Sequence, residues 1–513
     1  MNGAESLLTA AREAGVTTCF ANPGTTELPL VEAFDSVGGI RTVLGLAEGV
    51  VTGAADGYAR ITGLPAMTLL HLGPGFANGI ANLHNARRAR TPVLNVIGEH
   101  ATWHQAADAP LAADIDSLAR PVSCRVVRTT STAAAAGEFL EVRQAALRER
   151  MPATLIAAAD HMWTDGGEVP AVPAEPDRST VDEQRVAGIA KLLAGPGRPV
   201  LLLGGEALGA EGLRLGARIA AATGGRVFAE RNPARLERGP GVPTVRSLPY
   251  FPEDTLAALA EHTHLVLVGT GVPVSFFGYQ GQPSVPVPEH VQVHTLADLD
   301  EDAVGALAAL AEAAGADAEP PAREQPVLRP PEGELHAKAV ASAIALEQPD
   351  GAIIVNEGVT AAAAYPAVAG AAPAHTELAL TGGAIGMGIP VATGAALAAP
   401  DRPVITLQAD GSAAYTLQGL WTQAREGLDV TTVICANSRY RILEAELGRA
   451  GVRRPGPAAT GMTSLADPGA DWVALATGFG VPAVRATTGE ELRTALRRAT
   501  AEPGPHLIEA VLP

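Results

Sequence analysis

Along the first third of the chain, short apolar runs at 17–20, 42–46, 66–71, 93–97 and 153–157 alternate with longer stretches of helical pattern. Alternation of this kind predicts parallel strands joined by crossover helices. The pattern gives way to a polar, Pro-containing stretch at 165–179, which reads as a linker. It resumes with Arg198-Pro199-Val200-Leu201-Leu202-Leu203-Gly204-Gly205 and the run 264–269, then breaks at Pro320, Pro321, Pro326, Pro330 and Pro331, a second linker. Strands at 352–355, 404–407, 430–435 and 506–509 follow. The expected fold is α/β: three doubly wound, Rossmann-like domains with mainly parallel sheets, at 1–165, 180–325 and 334–513.

One strand–turn–helix–strand unit carries chemistry. The strand 404–407 runs into Ala409-Asp410-Gly411-Ser412, an amphipathic stretch at about 414–427 follows, and the strand 430–435 leads to Asn437. A crossover makes the two strands parallel, so Asp410 and Asn437 emerge on the same sheet edge, where open α/β sheets bind ligands. A carboxylate, an amide oxygen and a main-chain carbonyl suit Mg²⁺, which commonly shares its shell with phosphate. Taken alone, Asp-Gly-Ser reads equally as a plain turn with a helix cap.

Composition narrows the function. With 513 residues, 47% hydrophobic and a formal net charge of -18, the chain is globular and a poor partner for nucleic acid or an anionic membrane. Lys191 and Lys338 are its only lysines, and neither sits in a Schiff-base motif. Cys19, Cys124 and Cys435 lack disulfide or metal spacing, and no apolar run approaches the ~20 residues of a membrane span, so a cytoplasmic location is expected.

Four segments in order resemble the thiamine diphosphate (ThDP) enzymes: Phe20-Ala21-Asn22-Pro23-Gly24-Thr25-Thr26-Glu27-Leu28-Pro29; Ala47-Glu48-Gly49 running into Ala54-Ala55-Asp56-Gly57-Tyr58-Ala59-Arg60; Thr381-Gly382-Gly383-Ala384-Ile385-Gly386-Met387-Gly388; and Asp410-Gly411-Ser412 closing on Asn437, 27 positions later. The resemblance spans the chain and points to the acetolactate synthase large-subunit and benzoylformate decarboxylase branch. Ala409 stands where the diphosphate motif begins with Gly, and Ala436 where an Asn often precedes the ligand Asn; both are small.

The resemblance implies ThDP and Mg²⁺ as cofactors, with Asp410, Asn437 and the main-chain oxygen of Arg439 on the metal. Gly411, Ser412, Tyr440 and the loop Gly358-Val359-Thr360 would meet the cofactor on its diphosphate side. The helix at about 414–427 would offer its N-terminal amides to the diphosphate. Gly383 and Met387 would contact the pyrimidine, and Ile385 would hold the cofactor bent. Glu48, which alone reads as a helix-start carboxylate, would bond the aminopyrimidine and route acid–base catalysis through the cofactor. His71 would contact the substrate carboxylate or relay a proton, and Thr25 would bind that carboxylate. FAD is not supported, since Gly204-Gly205-Glu206-Ala207-Leu208-Gly209 lacks the dinucleotide fingerprint.

The implied activity is decarboxylation of a pyruvate-like 2-oxo acid with transfer of the acyl carbanion to a second carbonyl, as in acetolactate synthase. Ligation is favoured because the second active-site His of the decarboxylases is missing: the matching stretch reads Gly271-Val272-Pro273-Val274-Ser275-Phe276-Phe277-Gly278-Tyr279. Simple decarboxylation of the benzoylformate type, or a ThDP-binding paralogue without turnover, are the alternatives. His100 and His104 in the loop after the strand 93–97 would supply polar groups near the substrate or do nothing. A homodimer or homotetramer is implied, with Glu48 of one copy facing Asp410 of another.

Overall fold

The structure is a computed structural model that describes residues 1–318 and 325–513, so Pro320 and Pro321 of the second linker lie outside the described residues. It comprises two compact units: Met1–Pro176 with Leu328–Tyr365 and Leu380–Pro513, and Asp177–Val327 with Pro366–Ala379. Three mainly parallel sheets with intervening helices make it α/β.

In the first unit the strands Arg41–Leu44, Thr18–Asn22, Ala66–His71, Val93–Glu99, Ala153–Ala158 and Val126–Arg128 lie side by side in that order, all parallel. Both faces are covered: Leu7, Leu8 and Phe139 pack on one, Phe20, Phe76 and Leu83 on the other. Burial on two faces is why these strands read as continuous apolar runs. The edge strand Val126–Arg128 escapes sequence reading because it has three half-buried residues and no alternation. Strand order reverses between Thr18–Asn22 and Ala66–His71, which sets a ligand crevice at their carboxyl ends.

Five strands of another sheet belong to the same unit, in the order Ala483–Ala486, His506–Val511, Val430–Ala436, Val404–Ala409 and Ala352–Glu357, again parallel. The helices Glu48–Thr62 and Gly388–Ala398 meet backbone to backbone; a Cβ on Gly57 would fall 2.1 Å from the Val391 carbonyl oxygen. The stretch after Ala158 lacks long elements yet is fastened: Arg143 pairs with Glu175 at 2.7 Å, and Gln144 donates to the carbonyls of Pro173 and Ala174.

One sequence expectation is corrected. Instead of one helix at 414–427, a single turn Asp410–Ala413 precedes a separate helix Gly419–Glu426. The break has a cause in the side chain of Thr416, whose hydroxyl leaves the helical path to donate to the Gly386 carbonyl at 2.8 Å. The helix whose N-terminal amides were expected to face the diphosphate thus begins at Gly419, five residues later than read.

In the second unit, the strands Arg246–Ser247, Arg226–Ala229, Pro199–Leu203, His264–Val268 and Gln292–Ala297 form the parallel sheet. Its Gly204-Gly205 turn is filled from within, since Glu230 accepts from the Gly205 amide at 3.2 Å and the Thr270 hydroxyl at 3.0 Å.

Candidate active site

The strands Val404–Ala409 and Val430–Ala436 pair with Ala409 opposite Cys435, which brings the next residues of both together. Asp410 is only 4% exposed. Its Oδ2 accepts from the amides of Asn437 at 3.0 Å and Ser438 at 2.7 Å, and its Oδ1 from Gly411 at 2.8 Å. Burial pushes the carboxyl above its usual range, while the amides of Gly411, Ser438 and Asn437 pull the other way. Among the described residues no cationic side chain pairs with it. A buried carboxylate held only by amides is what a divalent cation would neutralise.

Asn437 Oδ1 accepts from the Arg439 amide at 3.1 Å, which fixes the amide's orientation. Ser438 takes a left-handed φ of 54°, so the chain turns sharply between Asn437 and Arg439. The carbonyl of Ser438 is engaged by Leu465 at 2.7 Å. Ser412 is buried in the first turn, and the Tyr440 ring packs against Gly411.

A buried carboxylate also organises the segment 383–388. Glu357, at the end of its strand, accepts from the amides of Gly386 at 2.7 Å, Met387 at 3.1 Å and Gly388 at 2.7 Å, and from Gln408 Nε2 at 2.9 Å. Burial raises its pKa, opposed by those same donors. Met387 is fully buried, whereas Gly383 and Ile385 keep partial exposure. Next to Glu357, the loop Gly358-Val359-Thr360 contains Val359 at φ 48°, a conformation that costs a β-branched residue ~1–3 kcal/mol.

Around the crevice of the first sheet, Glu48 opens the helix Glu48–Thr62 and its Oε2 accepts from Asn78 Nδ2 at 3.1 Å. A Cβ on Gly75 would lie 3.1 Å from Glu48 Oε1 and 3.3 Å from His71 Cβ, so the two side chains flank that glycine. His71 ends its strand, as expected. Thr25 is exposed and makes no side-chain hydrogen bond among the described residues. His100 and His104 lie with ring centroids 5.3 Å apart, and His100 Nε2 is buried without a partner.

Sequence reading missed Glu27. Its Oε2 lies 2.7 Å from His71 Nδ1 and accepts from the Gly24 amide at 2.7 Å, while Oε1 accepts from Thr26 at 2.7 Å. The only local signal was a carboxylate three residues after Gly24, at capping-box spacing. Asn82 was missed too: its Nδ2 donates to the carbonyls of Gly49 at 2.8 Å and Gly386 at 3.3 Å, tying the residue beside Glu48 to the 383–388 segment. No hydrogen bond joins Glu48 or His71 to Asp410 among the described residues.

Comparison with known proteins assigns this arrangement to a family. Residues 1–119 match the thiamine pyrophosphate enzyme N-terminal TPP binding domain, and residues 359–510 the C-terminal TPP binding domain. The chain belongs to the thiamine pyrophosphate enzymes. It is 50% identical to a Mycobacterium tuberculosis protein named "Putative acetolactate synthase large subunit IlvX", over 100% of this chain and 99% of the relative. It is 32% identical to the benzoylformate decarboxylase of Pseudomonas aeruginosa, over 97% and 96% of the two chains. In fold it is similar to a Rhodococcus jostii ThDP-dependent 4-hydroxybenzoylformate decarboxylase, with a TM-score of 0.88 at 24% identity, covering 100% and 99%. Among the described residues no helix is long and apolar enough to cross a membrane.

Proposed function

We propose that the chain is a ThDP- and Mg²⁺-dependent enzyme that removes CO₂ from a 2-oxo acid, with 1–165, 180–325 and 334–513 as its three domains. The observation that carries this reading is a buried, cation-free Asp410 beside Asn437 in the same chain as Glu48 and His71 flanking Gly75. Asp410, the Asn437 amide oxygen and the Arg439 carbonyl would hold Mg²⁺, whose preference for hard oxygens they match. Gly411, Ser412, Tyr440 and Gly358-Val359-Thr360 would seat the diphosphate side of the cofactor, and Gly383, Ile385 and Met387 its ring side. Bound there, ThDP would supply the electron sink that lets the carboxylate leave.

Glu48 would hold a proton on the aminopyrimidine, and Thr25 would bind the substrate carboxylate. His71 would exchange a proton at the reacting carbon through Nε2. Because His71 stands on a buried carboxylate that would offset the charge of a proton taken up at Nε2, proton exchange with the reacting carbon needs no second histidine, which favours release of an aldehyde. Ligation to a second carbonyl is the second reading, supported by the name of the relative at 50% identity. Exposed Leu28, Leu46, Tyr415, Leu443 and Met462 flank both half-sites, which supports a homodimer or homotetramer closing Glu48 of one copy over Asp410 of another.

The test is product analysis with ThDP and Mg²⁺ on pyruvate and benzoylformate, with and without an acceptor aldehyde or keto acid. Cofactor-dependent CO₂ release with aldehyde supports the first reading, and a hydroxyketone or acetohydroxy acid supports ligation. No cofactor-dependent CO₂ release across a broad 2-oxo acid panel would leave a binding-only paralogue.

A further inference from the structure

We infer that Glu27 is a positioning residue that fixes His71 as the Nδ1–H tautomer and aims its Nε2 lone pair at the substrate; the inference rests on His71 being the proton-exchanging group proposed above. Glu27 is 0% exposed, and its two oxygens accept from three groups: the Gly24 amide, the Thr26 hydroxyl and His71 Nδ1. An ionised carboxylate can only accept, so the 2.7 Å contact places the proton on Nδ1. Thr26 Oγ1 also lies 3.3 Å from Nδ1, but its own proton is directed to Glu27 Oε1 at 2.7 Å.

The slot that holds this pair is shaped on both sides by missing side chains. A Cβ on Gly24 would fall 2.3 Å from His71 Nδ1, and one on Gly98 would fall 1.7 Å from Glu27 Oε1. Immediately after His71 the chain turns through Leu72 at φ 49°, a conformation a leucine adopts only when its surroundings impose it. His71 keeps 24% of its side chain exposed, and Nε2 has no partner among the described residues. The ring is thus clamped on one edge and open on the other.

The remaining ionisable groups nearby do not compete for Nδ1. Glu48 lies across Gly75, and Glu99, next to Gly98, is directed to Arg128 at 3.3 Å and to the His100 amide at 2.7 Å. His100 itself meets the His104 ring edge to face. During proton exchange His71 gains or gives one proton at Nε2 only. Nδ1–H stays in place on the Glu27 oxygen throughout, so the ring keeps its orientation while the proton moves at the opposite edge.

Glu27→Leu keeps much of the volume but removes the acceptor at Nδ1 and frees the Thr26 hydroxyl, 3.3 Å away, to donate there, which moves the proton onto Nε2 and removes the lone pair. The experiment uses the full chain with ¹⁵N-labelled histidine, the His71 signals being assigned with His71→Asn. Wild type is expected to show a protonated Nδ1 and a bare Nε2, and Glu27→Leu the reverse. Turnover should fall by on the order of 10²-fold or more, with ThDP and Mg²⁺ affinities unchanged within about threefold.

A wild-type His71 in the Nε2–H form overturns the inference even if the variant does not fold. So does an unchanged tautomer in a folded variant. Failure of the wild type to act on any 2-oxo acid removes the functional reading instead, and leaves the tautomer result standing.

Discussion

Replacing Glu357 by Gln should loosen the 383–388 segment without unfolding the protein. In the native chain one carboxylate receives four N–H groups, from Gly386, Met387, Gly388 and Gln408. Glutamine keeps the volume and one acceptor oxygen. If that oxygen stays on the side of Gly386 and Met387, the new amide N–H₂ faces Gly388 and Gln408; Gln408 Nε2 keeps the Ala409 carbonyl at 3.5 Å, and the Gly388 amide loses its acceptor. A buried donor left unsatisfied costs about 1–3 kcal/mol. At about 1.4 kcal/mol per tenfold, even the lower limit makes local opening about fivefold more frequent. Hydrogen exchange read by mass spectrometry on peptides covering 381–391 measures that opening directly. The helix Glu183–Leu193, in the other unit, serves as the internal control. Exchange within threefold of wild type across that segment would refute the reasoning, because it would mean the carboxylate holds nothing that an amide does not.

Glu48→Gln should bind ThDP within a few-fold of wild type while turnover drops about 10²- to 10⁴-fold, the range of general acid–base catalysis; calorimetry and steady-state rates separate the two effects. Asp410→Asn should raise the Mg²⁺ concentration for half-maximal ThDP binding by more than the roughly 10- to 100-fold typical of lost metal-site support, and an unchanged requirement would argue against Asp410 as a ligand. Burial pushes the Glu230 carboxyl above the ordinary glutamate value of ~4.3. Between that value and its folded pKa the native state holds a proton the unfolded chain has lost, so stability falls as pH rises through the window. Glu230→Gln should flatten this slope in melting temperature against pH, and parallel curves for the two proteins would contradict it.

What could be read from sequence follows physical range. Asp410 and Asn437 were legible because a crossover between parallel strands fixes which ends meet, and the pairing of Ala409 with Cys435 is that rule made concrete. Glu48 was legible as a helix start, since a strand, a short turn and an amphipathic run announce it. Glu27 was not, because the partner that gives it a role, His71, lies 44 positions away, and the room for its carboxylate is left by Gly98 on another strand. In sequence it is one more acidic residue beside a turn. Glu357 escaped for the same reason, its donors coming from Gly386 to Gly388 and from Gln408. The helix broken after Ala413 shows the converse, a local amphipathic pattern overruled by a tertiary hydrogen bond from Thr416.

The Asn82 amide grips two carbonyls that belong to segments more than 300 residues apart in the chain. The entropy of ordering those segments is therefore spent when the protein folds, before any cofactor arrives. A ligand that settles against both would meet a finished mould and keep more of its contact energy as affinity.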